Sequence, residues 1–160
     1  MTETLEVTVR KATQEDIPSI ARLVDELHRE SLHEFGTDLD ISTVVRNIKL
    51  RMSAPNQVVF VSEDEQGVSG SVMGYLAPSV LNDKQLVAAE TFWYVSKGRR
   101  RKQTGVELLK AFESWSIDIG AHKTVMTHMA NLFPENIAKL YERSGYKLME
   151  LQYVKEVSNG

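Results

Sequence analysis

Cysteine is missing from all 160 residues, which excludes disulfides, a thiolate metal site and a cysteine nucleophile. Long apolar runs are missing too, and none approaches the ~20 residues of a membrane span. Net positive charge is lacking: the formal value of −3 argues against a general nucleic-acid binder, whose domain would be clearly basic. The opening Met1-Thr2-Glu3-Thr4 is acidic and polar, unlike a secretory signal, so a cytoplasmic protein is expected. Repeats, low-complexity tracts and linkers are absent. Residues 1–160 therefore read as one domain, long enough to bury roughly 70% of the surface its unfolded chain exposes.

Against that background one stretch stands out, Val95-Ser96-Lys97-Gly98-Arg99-Arg100-Arg101-Lys102-Gln103-Thr104-Gly105. Leu86 to Val95 ahead of it is rich in β-formers. Leu108, Phe112, Trp115 and Ile119 behind it recur at helical spacing. A strand that turns straight into a helix gathers unpaired N–H groups and the positive end of a helix dipole at one place. The cationic run Arg99 to Lys102 adds to the attraction, so the expected partner is a phosphorylated cofactor.

The remaining order follows from periodicity and breakers. Leu5 to Lys11 alternates as a strand. Thr13 and Asp16 supply capping chemistry, and Ile17, Ile20, Ala21, Val24 and Leu27 stripe a helix to about Glu30. A second helix covers Ile41 to Met52. Strands are expected over Gln57 to Glu63, Ser69 to Ala77 and Leu86 to Val95, with Pro78 to Lys84 as a connection. Gly70 and Gly74 mark places where another backbone comes close. A helix then runs to Gly120, a strand over Thr124 to Met129, a helix from Pro134 to Gly145, and extended chain over Tyr146 to Val157. Consecutive middle strands favour hairpins, and the later strand–helix–strand units favour parallel pairing. The fold class is α/β (α+β): a single mixed, mostly antiparallel sheet flanked by helices.

Two motifs in this order resemble the GCN5-related N-acetyltransferase (GNAT) family. Arg100-Arg101-Lys102-Gln103-Thr104-Gly105 matches its Gln/Arg-x-x-Gly-x-Gly/Ala turn, with Gln103 where the first glycine is expected. Ala138-Lys139-Leu140-Tyr141-Glu142-Arg143-Ser144-Gly145-Tyr146 is close to its Ala-x-x-Leu-Tyr-Glu-x-x-Gly-Phe/Tyr segment. The chain also looks like small acetyltransferases of phage or prophage type. The resemblance implies acetyl-CoA bound at residues 100–105, with no metal. It further implies transfer to a primary amine in a ternary complex. A glycine at 103 would admit a phosphate without a Cβ in the way; a glutamine keeps the same N–H donors if its φ stays negative.

Such transfer needs a base for an amine of pKa about 10.4, a donor for the oxyanion and an acid for a thiolate of pKa about 8.5. Glu90 resembles the position of the family's catalytic glutamate and is the expected base; a carboxylate in a mostly apolar strand is costly unless paired or used. Its alternative is a solvent-facing or salt-bridged residue. Tyr141, whose family counterpart points toward the sulfur, is the expected acid; its alternative is packing with Ile137 and Leu140. Val95 is expected to offer backbone groups to the pantetheine arm, its neighbouring N–H to polarise the thioester, and Asn131 or Asn136 to bond the pantetheine amides. Helix capping explains Asn131 equally well. Among the four histidines only His128 faces the expected cleft, as an alternative base. Arg99 and Arg101 suit either solvent or the coenzyme's 3′-phosphate.

The family's acceptor site maps onto Leu32 to Asp40, Pro78 to Lys84 and Tyr146 to Tyr153. Glu34, Asp38, Asp40 and Asp83 there suit a cationic amine. With few residues after Tyr146 the sheet is expected to be short, and a partner subunit, giving a homodimer, would complete the cleft. No nucleic acid or membrane is expected as partner. The reading of a different class is a non-catalytic GNAT-fold binding or regulatory protein, supported by Gln103; an RNA-binding use of Arg99 to Lys102 is opposed by the acidic remainder of the chain.

Overall fold

Residues 6–100 and 103–158 are described by a computed structural model of the chain. Strand β1 (Thr8–Lys11) is followed by a 3-10 turn, Gln14–Asp16, built around one buried carboxylate. Asp16 accepts from the Thr13 N–H at 2.7 Å and holds both Arg10 nitrogens, at 2.6 and 3.0 Å. Those bonds hold its carboxyl below the ordinary range, Arg10 contributing most. Helix α1 (Ile17–Glu30) starts there with Pro18 in its first turn, where a missing N–H costs nothing. It buries Ile17, Ile20, Ala21, Leu23 and Leu27, so Leu23 replaces the expected Val24 at the centre of the stripe. Helix α2 (Ile41–Ser53) is capped by Asp40, which accepts from the Thr43 N–H at 3.0 Å.

Strands β2 (Gln57–Asp64), β3 (Gly67–Ser79) and β4 (Asn82–Val95) form successive antiparallel hairpins. Helix α3 (Thr104–Asp118) then returns the chain to β5 (Lys123–Val125), which pairs parallel with β4, and helix α4 (Pro134–Arg143) follows. The five strands lie in sequence order, β1-β2-β3-β4-β5. This is the mixed, mostly antiparallel sheet expected from the sequence. One apolar cluster joins α1 and α2 to the sheet through Leu23, Val61 and Tyr94; a second joins α3 through Leu108, Phe112 and Trp115.

Three boundaries differ from expectation. The Pro78 to Lys84 connection is mostly strand, because β3 and β4 continue to Ser79 and from Asn82, leaving Val80 and Leu81 as an exposed tip. β5 stops at Val125 and not Met129, because beyond Ala89↔Val125 the ladder partner is lost and Thr127 bonds a side chain instead. Residues 146–158 form no strand at all. They have the alternation of one, but extended backbone needs a neighbouring edge to become sheet.

Gly74 shows why the middle of the sheet tolerates no side chain. A Cβ there would sit 2.6 Å from the Ala89 carbonyl oxygen and would strike the Phe112 ring. Close approach of strand and helix at this point is the reason for glycine, as the sequence suggested.

Candidate active site

The β3–β4 ladder slips at one point: Met73 pairs with Phe92, but Gly74 pairs with Glu90. Thr91 is therefore an extra residue, a β-bulge of the kind that re-aims a side chain. The two sides of the slip confirm it. Ala88 and Val95 both pack in the α3 cluster although they are an odd number of residues apart, which strict alternation forbids.

Glu90 follows the last residue of β4 that pairs with β5. Its carboxylate is buried and accepts from the Thr127 hydroxyl at 2.5 Å and the Thr127 N–H at 3.3 Å. Burial pushes its pKa up to about 7, against the opposing pull of the two Thr127 bonds. Glu90 does not face solvent, and no cation among the described residues is salt-bridged to it. Thr127 also receives the other expected catalytic group: the Tyr141 phenol donates to its carbonyl oxygen at 2.5 Å. Burial and then the Glu90 carboxylate push that phenol well above its ordinary value, so it remains a donor. Tyr141 packs among Trp93, His128 and Tyr146, with ring centroids 5.7, 5.9 and 5.4 Å away. The Tyr146 hydroxyl is buried with no polar partner among the described residues.

Glu90, Tyr141 and His128 are thus brought together around one threonine. Nothing in sequence spacing singles out Thr127, because its partners lie 37 residues upstream and 14 downstream.

At the basic turn the cations are assigned differently from expectation. The Arg99 guanidinium bonds Asp64 and the Val68 and Gly67 carbonyls, pinning the turn to the β2–β3 hairpin. Arg100 bonds both Glu30 oxygens, at 2.5 and 2.7 Å, and lies over Tyr94 and Phe133. Its side chain is turned to α1, so only its backbone can serve a phosphate. Arg101 and Lys102 lie outside the described residues. The Val95 carbonyl accepts from Arg100 Nε at 2.9 Å, and the adjacent Ser96 N–H donates to Ser69 at 2.8 Å. The oxyanion donor expected beside Val95 is therefore already used, a correction that sheet pairing explains.

The start of α3 offers donors: among the described residues the first bond of this helix runs from the Glu107 N–H to the Gln103 carbonyl, and none takes the N–H groups of Thr104, Gly105 or Val106. Gln103 sits at φ −94°, a value any residue adopts, so the glutamine preserves this nest. The Thr104 hydroxyl is buried without a partner among the described residues. Gly105 lies beside Trp93, whose Nε1 donates to its carbonyl at 3.1 Å. These features fit a pyrophosphate at the helix N-terminus, on the side of the sheet where the β4–β5 pairing ends at Ala89 and Val125.

The asparagines divide. Asn131 bonds Ser31 and Glu34, tying the approach to α4 to the loop after α1; it does not cap α4, whose N-cap is Phe133 in the left-handed region at φ +47°. Asn136 is exposed on the first turn of α4. His28 and His33 bond backbone carbonyls near the α1–α2 loop, and the His122 ring accepts from the Leu86 N–H. Trp115, on the striped face of α3, is core.

A family model described as "Acetyltransferase (GNAT) family" matches residues 20–146. No curated protein sequence matches the chain. Among solved structures it is similar to a transcriptional regulator from Bacillus halodurans C-125, with TM-score 0.78, 17% identity, and coverage of 95% of this chain and 100% of that one. It is also similar to glucosamine-6-phosphate N-acetyltransferase from Arabidopsis thaliana, with TM-score 0.73, 17% identity and 96% and 99% coverage. A third, a predicted acetyltransferase with acetyl-CoA from Clostridium acetobutylicum, gives TM-score 0.71, 13% identity and 94% and 96% coverage. These come from bacteria and a plant, and nothing in them supports the phage-type resemblance. Fold and motif agree: the chain belongs to the GNAT acetyltransferase family.

Proposed function

We propose that this chain is an N-acetyltransferase that moves an acetyl group from acetyl-CoA directly to a primary amine within a ternary complex. The observation that carries the reading is the buried Glu90 carboxylate, held by Thr127 within one residue of the point where β4 and β5 part. A carboxylate with pKa about 7 is matched to accepting a proton near neutral pH. Glu90 takes the amine's proton, directly or through a water, and Thr127 keeps its carboxylate aimed. The α3 amides hold the pyrophosphate. Acetyl-CoA supplies the activated thioester.

Tyr141 stands on the sulfur side. Its phenol is a weaker acid than a thiol, so full proton transfer to the leaving thiolate is uphill. Its one O–H, given to the Thr127 carbonyl when the site is empty, turns to the thiolate and stabilises that charge as a hydrogen-bond donor. Tyr141→Phe should lower kcat about tenfold or more, with little change in the KM for the amine, in a continuous thiol-release assay. The acceptor is read as a cationic amine because Glu34 and Asp38 lie in the loop between α1 and α2.

Calorimetry with acetyl-CoA, then thiol release across a panel of cationic, neutral and acidic amines, tests the whole reading. Micromolar binding with release on cationic amines supports it. Tight binding with no release on any amine gives the protein to the binding-module reading that Gln103 favours, and release on neutral amines alone removes the cationic acceptor.

A further inference from the structure

The bulge in β4 poses a problem of choice. Met73 pairs with Phe92 and Gly74 with Glu90, so one residue between them has no place in the ladder. Were that residue Glu90, Thr91 would take Gly74 as partner and Glu90 would lose its aim at Thr127. A shift of one residue is the smallest error a strand can make, and it turns a side chain to the other face. Something must hold Thr91, and not Glu90, out of the ladder.

That hold comes from α2. Thr91 is exposed, yet its hydroxyl is bonded: Arg51, in the last turn of α2, donates to it at 3.1 Å. The same Arg51 nitrogen donates to the side-chain oxygen of Gln57 at 3.2 Å. Gln57 opens β2, so one guanidinium reaches across β3 from β2 to the bulge of β4. Both partners are neutral oxygens, and bonds from an ionised donor are the stronger kind. Arg51 is itself well placed, because the turn after α2 is fixed to β3. The Leu76 N–H donates to the Asn56 carbonyl at 2.8 Å, and Asn56 Nδ2 donates to the Leu76 carbonyl at 3.1 Å. Phe92 packs in the α1–α2 cluster, so Thr91 and Phe92 face the helices in succession while Glu90 is turned to Thr127.

We propose that Arg51 is a positioning residue for the transfer: by bonding Thr91 it keeps that residue extra and Glu90 aimed at Thr127. Its bearing on catalysis rests on the acetyl-transfer reading, but its hold on the bulge does not.

Arg51→Met keeps the stem and removes the donors. It should lower kcat about tenfold to a hundredfold, the cost of a catalytic group displaced by about 1 Å. The KM values for amine and acetyl-CoA and the melting curve should stay as in the parent. Thr91→Val removes the accepting oxygen at nearly constant shape and should match that loss. The double variant should lose no more than either single one, because all three break one contact. Thr91→Ser keeps a hydroxyl and should rescue kcat. Arg46→Met removes an equal charge from the exposed side of α2, where Arg46 donates to Thr43, and should leave kcat unchanged.

A second readout needs no turnover. The Thr127 N–H donates to Glu90, so its amide resonance in isotope-labelled protein should move in Arg51→Met and Thr91→Val and stay in Thr91→Ser. A parent that releases no thiol with any amine would remove acetyl transfer, and the Thr127 resonance would still decide the hold on the bulge. Parental kcat in Arg51→Met, losses that multiply in the double variant, or a raised amine KM with kcat intact would each overturn the positioning role. So would a Thr127 resonance indifferent to both substitutions.

Discussion

Replacing Glu90 by glutamine should lower kcat/KM for acetyl transfer by about 10²–10⁴-fold, the span typical of a lost general base. The same change should stabilise the protein. In the unfolded chain this carboxyl titrates near 4.5, and in the fold near 7, because it is buried. Between those values the unfolded chain is ionised while the native state still holds the proton, so stability falls as pH rises through that window. Above pH 7 the full penalty applies, about 3 kcal/mol for such a shift. Glutamine carries no charge to desolvate and keeps an oxygen for Thr127. Urea denaturation at pH 8 should therefore favour the variant by up to about 3 kcal/mol, and the two proteins should converge below pH 4.5. In the parent, kcat/KM should rise through about pH 7 as Glu90 ionises. A variant that is inactive but no more stable at pH 8 would mean that Glu90 is hydrated in solution. An active one would move the base to His128.

The second large effect is expected at Gly74. An added methyl has no free space between the Ala89 carbonyl and Phe112, whose ring is fully buried. Gly74→Ala should cost about 1–3 kcal/mol of stability, the usual range for overpacking. It should also lower kcat, because Gly74 is the ladder partner of Glu90 and relief can come only by moving the bulge. Gly105→Ala is the control. Its Cβ would meet Trp93 at 3.4 Å, an ordinary contact, and alanine favours a helix, so stability should hold or rise by up to about 1 kcal/mol. Equal losses at the two glycines in denaturant melts would show that the distinction is not one of space.

The register slip at Thr91 explains why the site was only partly legible beforehand. Periodicity places Glu90 on the strand but assumes strict alternation, and one extra residue changes which way everything beyond it faces. The cations at the turn teach the same lesson. Arg99 and Arg100 are free charges in a sequence, yet here Asp64 and Glu30 claim them from distant elements. Gln103 turned out simpler in its backbone: its negative φ needs no glycine, and only its Cβ distinguishes it from the motif's residue.

The sequence by itself determined the order of the helices and first five strands, the mixed sheet, the basic strand-to-helix turn before α3 and the family, because these rest on local periodicity, breakers and adjacent motifs. Only the tertiary structure decided that Thr127 joins Glu90 to Tyr141, that Arg100 faces α1, and that residues 147–158 lie outside the sheet. Each of these is a contact between segments far apart in the chain, and a pattern that repeats every two or four residues carries no record of such a meeting.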